Sequence, residues 1–217
     1  MDLELARFAL VTFTAVFFVV DPFAVVPAFI AMTEGDSAEK RRGMARRASV
    51  AAFVILLVFA LAGRWIFQLF GITAGAFRVA GGLLLFLLSV DMMRALPSRV
   101  RTSPEEEREG AARDDVAVIP LGMPLLAGPG SIATVTVLVA KAKTPPRIAV
   151  VLGAVALTCL LTYVVLRAAP LVERRLGRTG INVLTRVMGL ILAAVAVQFV
   201  ADGVKELLPY VRGTVAR

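Results

Sequence analysis

Two short breaks in apolar sequence hold the residues best suited to chemistry. Asp21-Pro22-Phe23 interrupts an apolar run from Leu5 to Thr33, and Gly128-Pro129-Gly130 interrupts one from Val118 to Ala140. Asp followed by Pro starts a helix well: the carboxylate caps free amides, and proline at the first helical position has no N–H to lose. Gly128-Pro129 provides the same start without a charge. Each new helix N-terminus carries free amides and a positive partial charge of roughly half an elementary charge. Asp21 attracts a cation, a proton or an ammonium group. The uncharged end, with the amides of Gly130, Ser131 and Ile132, suits a carboxylate. Together the ends fit a zwitterion, and the candidate contacts are Asp21, Pro22, Gly128, Pro129, Gly130, Ser131, Ile132 and Thr134. Two matched breaks, one with an intramembrane acid, outweigh the plainer reading of proline kinks with a satisfied cap.

The segments that must position these breaks are membrane spans. Of 217 residues 59% are hydrophobic, and mean hydropathy is +0.83. Several stretches approach the ~20 residues that cross a hydrocarbon core. The expected spans are 5–33, 48–70, 74–93, 118–140, 148–168 and 182–208, in one transmembrane domain covering 1–217. Residues 94–117 form a polar loop between the halves. The first residues contain Asp2 and Glu4 and no basic leader, so the first segment reads as a retained span.

The halves echo one another. Position 21 corresponds to 128, and Arg78 and Gly81 correspond to Arg186 and Gly189, 108 positions later. Repeat 1 covers about 5–93 and repeat 2 about 118–208. Three spans per repeat is an odd number, so the second repeat enters from the opposite side. The expected fold is all-α, with six transmembrane helices as two inverted three-helix repeats and the first helix of each broken at mid-membrane. That is the pattern of a secondary transporter.

The net charge of +8 belongs to loops between spans, so it reads as membrane topology and headgroup contact; nucleic acid is not expected. With the N-terminus outside, the inside segments 34–47, 94–117 and 167–180 hold fourteen Lys and Arg, and the outside segments hold eight. Both termini are therefore expected to be periplasmic. The absence of His and a single Cys159 exclude His-based triads, intrachain disulfides and zinc-type centres, and no enzyme is expected. No cofactor is expected beyond coupling to H+ or Na+. Arg78 and Arg186 are candidates for gating or for anchoring at the interface. Thr12, Thr14 and Thr136 are secondary polar candidates. Asp91 and Asp202 read as wetted caps or loop partners, Gln198 as an interhelical hydrogen bond, and Gly81, Gly82 and Gly189 as close-packing positions.

Four ordered motifs resemble the MarC family of bacterial inner-membrane proteins. They are Asp21-Pro22-Phe23 with Pro27, Phe77 through Phe86, Pro120 through Gly130, and Arg186 through Ile191. The resemblance implies six spans in a bacterial plasma membrane. Some relatives are described as transporters of small neutral amino acids. Where relatives commonly show Gly-Asn after Asp-Pro-Phe, this chain has Ala24-Val25, which removes a polar group beside the first break. The leading expectation is a carrier or exporter of a small neutral amino acid or similar metabolite. A passive pore and a non-transporting membrane protein are the alternatives. The expected partners are the substrate, the bilayer and, as an open option, further copies in a homo-oligomer.

Overall fold

The computed structural model describes residues 3–33, 35–94 and 117–215. The polar loop expected between the halves lies almost wholly outside them.

Chain chemistry decides where the helices begin and end. α1, Leu3–Val20, stops at Asp21, whose amide still donates to Phe17 O at 2.9 Å. α2, Pro22–Met32, then starts on proline. α3, Ala38–Phe70, begins behind Ser37, whose Oγ accepts from the Lys40 amide at 3.2 Å. α4, Ala74–Arg94, begins behind Thr73, whose Oγ1 accepts from the Ala76 amide.

α5, Ala117–Leu126, is helical only in part. Ile119 and Met123 have extended backbone, φ −129° and −138°. Each precedes a proline (Pro120, Pro124), and a residue before proline is driven out of the α region. α6, Pro129–Lys141, α7, Pro145–Arg167, and α8, Ala169–Val215, complete the chain.

Five stretches among the described residues are long and apolar enough to cross a membrane: Leu3–Ile30, Ala38–Gly63, Gly75–Arg94, Pro145–Arg167 and Thr179–Leu208. The expected fourth span differs. α6 has 13 residues, about 20 Å of helix, and irregular α5 precedes it. α5 packs on α3 with Leu121, Gly122 and Leu125 buried, while the extended Ile119 and Met123 are 55% and 45% exposed. There a methyl group at Gly122 would sit 2.9 Å from Ala51 Cβ. Two expected loops also prove largely helical. The basic segment 38–47 forms the first turns of α3, and 169–176 forms the first part of α8, which bends at Gly177 (φ 62°, ψ 176°). Ala, Glu, Lys and Arg are good helix formers, so charge there marks the membrane boundary and not a helix end.

The tightest pairing is α4 against α8. Gly75 faces Gly203, Gly82 faces Ala196 and Val200, and Gly189 faces Ser89 and Met92, so the helices run antiparallel. A methyl at Gly203 would approach Gly75 O to 2.7 Å and Val79 Cγ2 to 2.8 Å. Small residues let these backbones meet where lipid offers no hydrophobic drive. Elsewhere α3 packs on α5 and α7 on α1. α3 also packs on α6 and α7 on α2, while α4 packs on α6 and α8 on α2.

Candidate functional site

At the first break Asp21 and Pro22 are buried and Phe23 is half-buried. Asp21 is 0% exposed and has φ 46°, ψ 72°, the only non-glycine positive φ among the described residues. The left-handed region is costly for most side chains, though Asp and Asn tolerate it best. This backbone turns the chain between α1 and α2. The carboxylate accepts from the Ala24 amide at 3.2 Å and caps α2. Phe17 and Phe23 meet edge to face across the bend, with centroids 6.3 Å apart.

The second break is uncharged. Gly128 has extended backbone (φ −80°, ψ 173°) and no side chain caps α6. The Ser131 hydroxyl donates to Leu126 O at 2.9 Å and to Gly128 O at 3.1 Å, so it ties the irregular segment to the helix head. Thr134 donates to Gly130 O and Thr136 to Ile132 O, both at 2.8 Å. These hydroxyls are satisfied by their own helix. The Ile132 amide also donates, to Gly128 O at 3.0 Å, which leaves the open helix end to Gly130 and Ser131.

The breaks adjoin. Gly130 stands against Val19, Leu85 and Leu88; a methyl there would lie 3.5 Å from Val19 Cγ2 and 3.1 Å from Leu85 Cδ2. Val19 is two residues before Asp21. The head of α6 therefore packs beside the end of α1, with apolar α4 side chains sealing it. Thr12, also 0% exposed, has a hydroxyl with no hydrogen-bond partner among the described residues.

The two arginines part company. Arg78 is 8% exposed, and its Nη1 lies 2.9 Å from Glu206 Oε2. Arg186 is exposed. The symmetry positions of Asp202 and Glu206, 108 residues earlier, are Arg94 and Ser98. Arg78 thus has an acid partner on α8, while the positions matching 202 and 206 in the first half carry no acid.

Of the two readings of Asp202, a wetted cap or a loop partner, the structure shows a partner at the end of α6. Lys141 Nζ lies 2.7 Å from Asp202 Oδ2 and sits over the Phe199 ring at 5.4 Å. Gln198, expected to bond between helices, instead donates within α8 to Asp202 Oδ1 at 2.8 Å. Sequence reading missed this cluster, which joins the start of α4 to the ends of α6 and α8. The signal was present: Gln198, Asp202 and Glu206 recur every four residues and so share one face of a helix.

No group of three or more His, Cys, Asp and Glu that could hold a metal occurs among the described residues. Long apolar helices and polar groups paired between them define a multi-pass α-helical membrane protein. The sequence matches the model of the MarC family of integral membrane proteins over residues 6–208. The chain belongs to that family. It is 40% identical to a UPF0056 membrane protein of Aquifex aeolicus, over 91% of this chain and 92% of that one. It is 38% identical to the UPF0056 membrane protein YvbG of Bacillus subtilis, over 91% and 94%. With YhcE of Escherichia coli, another UPF0056 membrane protein, the identity is 34% over 91% and 92%. No solved structure matches the chain.

Proposed function

We propose that this protein is a secondary transporter of a small neutral amino acid or similar zwitterionic metabolite, with substrate held between the two breaks. The observation that carries this reading is a buried carboxylate, Asp21, in left-handed backbone beside the uncharged helix head at Gly130. Strained backbone and a buried acid are expensive, and both concentrate at functional sites. The substrate ammonium is assigned to Asp21 and its carboxylate to the amides of Gly130 and Ser131. Asp21 is also the group through which H+ or Na+ coupling acts.

Alternating access between two inverted repeats is the proposed mechanism. Its support is the packing pattern: exchanging the halves turns α3 on α5 into α7 on α1, α3 on α6 into α7 on α2, and α4 on α6 into α8 on α2. The antiparallel α4 and α8 pair maps onto itself. In this account the apolar seal of Val19, Leu85 and Leu88 around Gly130 is a closed state of the pathway. Such a seal favours a carrier over a standing pore.

Both termini are assigned to the periplasm of a bacterial inner membrane. The polar pairs agree with six crossings. Arg147 Nη2 lies 3.7 Å from Glu4 Oε2, which puts the starts of α1 and α7 on one side. Arg78–Glu206 and Lys141–Asp202 do the same for the start of α4 and the ends of α6 and α8.

Counterflow in proteoliposomes tests the function. Vesicles preloaded with unlabelled neutral amino acids should accumulate the labelled compound transiently and saturably. Flux that rises linearly with concentration would indicate a pore. No flux across a panel of small neutral amino acids would remove this substrate class.

A further inference from the structure

A second site lies away from the breaks, between α3 and α7. A groove of about 320 Å³ there is lined by Arg46, Ser49, Val50, Phe53, Leu160 and Tyr163, among others. Ligand pockets span roughly 300–1,000 Å³. The groove opens sideways, towards lipid, because Val50 and Leu160 on its walls are 54% and 58% exposed. Its floor is apolar. Its polar groups are few and are spare. Arg46 is exposed and makes no ion pair among the described residues. Ser49 is 4% exposed, and its buried Oγ has no hydrogen-bond partner.

The level in the membrane is fixed by sequence. Arg46 and Arg47 end the charged start of α3, which also holds Lys40, Arg41 and Arg42, and an apolar run begins at Ala48. Arg46 therefore stands at the headgroup boundary, with Val50 and Phe53 one and two turns deeper. Tyr163 supplies the amphipathic ring typical of that boundary.

We infer that this groove binds an anionic glycerophospholipid, with the phosphate at Arg46 and an acyl chain along Val50, Phe53 and Leu160. Charge selects the headgroup, since five basic residues cluster within eight positions of α3. The apolar floor selects a chain-bearing ligand over a free anion. A lateral opening admits lipid from the bilayer and not a solute from water. This site is independent of the transport reading, since none of its residues belongs to the breaks.

Native mass spectrometry of the full-length protein in detergent provides the test, with phosphatidylglycerol and phosphatidylcholine of identical chains as probes. The wild type should retain phosphatidylglycerol in preference. Arg46→Gln should weaken it by about fivefold, the value of one basic side chain at an anionic lipid surface. Ala156→Trp, on the lipid-facing groove wall, should reduce both lipids with Arg46 intact. Arg174→Gln, elsewhere on the basic side, should leave the preference unchanged. Equal retention of the two lipids by wild type would overturn the proposal. So would a preference that survives both Arg46→Gln and Ala156→Trp, or equally tight binding of glycerol phosphate, which would mark a plain anion site. Loss of lipid on dimer formation through this face would assign the groove to a second copy instead.

Discussion

Gly130 packs against Val19 closely enough that a methyl group on it would touch the Val19 side chain at 3.5 Å. This contact joins the head of one interrupted helix to the end of the other, and it leaves little room for a larger residue. Gly130→Ala places its methyl 3.1 Å from the flexible tip of Leu85, so its cost should fall at the low end of the ~1–3 kcal/mol of overpacking. Gly130→Val adds branches that Leu85 and Val19 cannot both avoid, and should cost clearly more. Thermal unfolding in detergent checks the order. Equal melting temperatures for the two variants would mean that the breaks are not packed together.

The arginines should respond unequally. Glu206→Gln keeps an acceptor oxygen but removes the charge opposite buried Arg78; with Glu206 itself 41% exposed, the loss should be about 1 kcal/mol. Arg78→Met removes the charge together with the need for a partner, so it should cost less than Glu206→Gln. Arg186→Gln, at an exposed position, should stay within about 0.5 kcal/mol. Melting temperatures of the three proteins decide. A loss in Arg186→Gln as large as in Glu206→Gln would restore equal roles to the pair.

Orientation is open to labelling. Cys159 is the only cysteine and is buried, so a Cys159→Ala background leaves a clean slate. Cysteines placed at Leu3 and Lys143 should react with an impermeant maleimide added to whole cells whose outer membrane has been permeabilised. Cysteines at Glu39 and Arg174 should react only after lysis. The reverse pattern would invert the topology, and reaction of Leu3 and Glu39 from the same side would break the count of crossings.

Much of this molecule was readable in its sequence because bilayers impose strong rules. Apolar length marked five of the six expected spans, and Asp21-Pro22 and Gly128-Pro129 marked helix starts. The family followed from ordered motifs. Other features depended on weaker local signals. Pro120 and Pro124 unwind α5 by constraining the residues before them, which hydropathy does not register. Charge hides the helical starts of α3 and α8, because Lys, Arg and Glu there suit a loop and a helix equally in hydropathy. Repeat symmetry suggested like roles for Arg78 and Arg186, yet the acids at 202 and 206 on α8 beside Arg78 have no acidic counterparts at the matching positions 94 and 98. The four-residue spacing of Gln198, Asp202 and Glu206 could have revealed that cluster. The groove between α3 and α7 could not be foreseen, because it depends on how two helices from different halves meet.

The central claim is that Asp21 acts in transport and does not only cap α2. Asp21→Asn separates these roles. Asn caps a helix about as well as Asp and tolerates positive φ, so the variant should fold, with a melting temperature close to that of the wild type. Asp21→Ala would lose cap and charge together and cannot separate them. The decisive measurement is counterflow by Asp21→Asn protein, reconstituted at matched density, across pH and sodium gradients. The account predicts lost exchange, or exchange that no longer responds to either gradient. Wild-type flux with wild-type pH and sodium dependence would contradict it and reduce Asp21 to a structural cap.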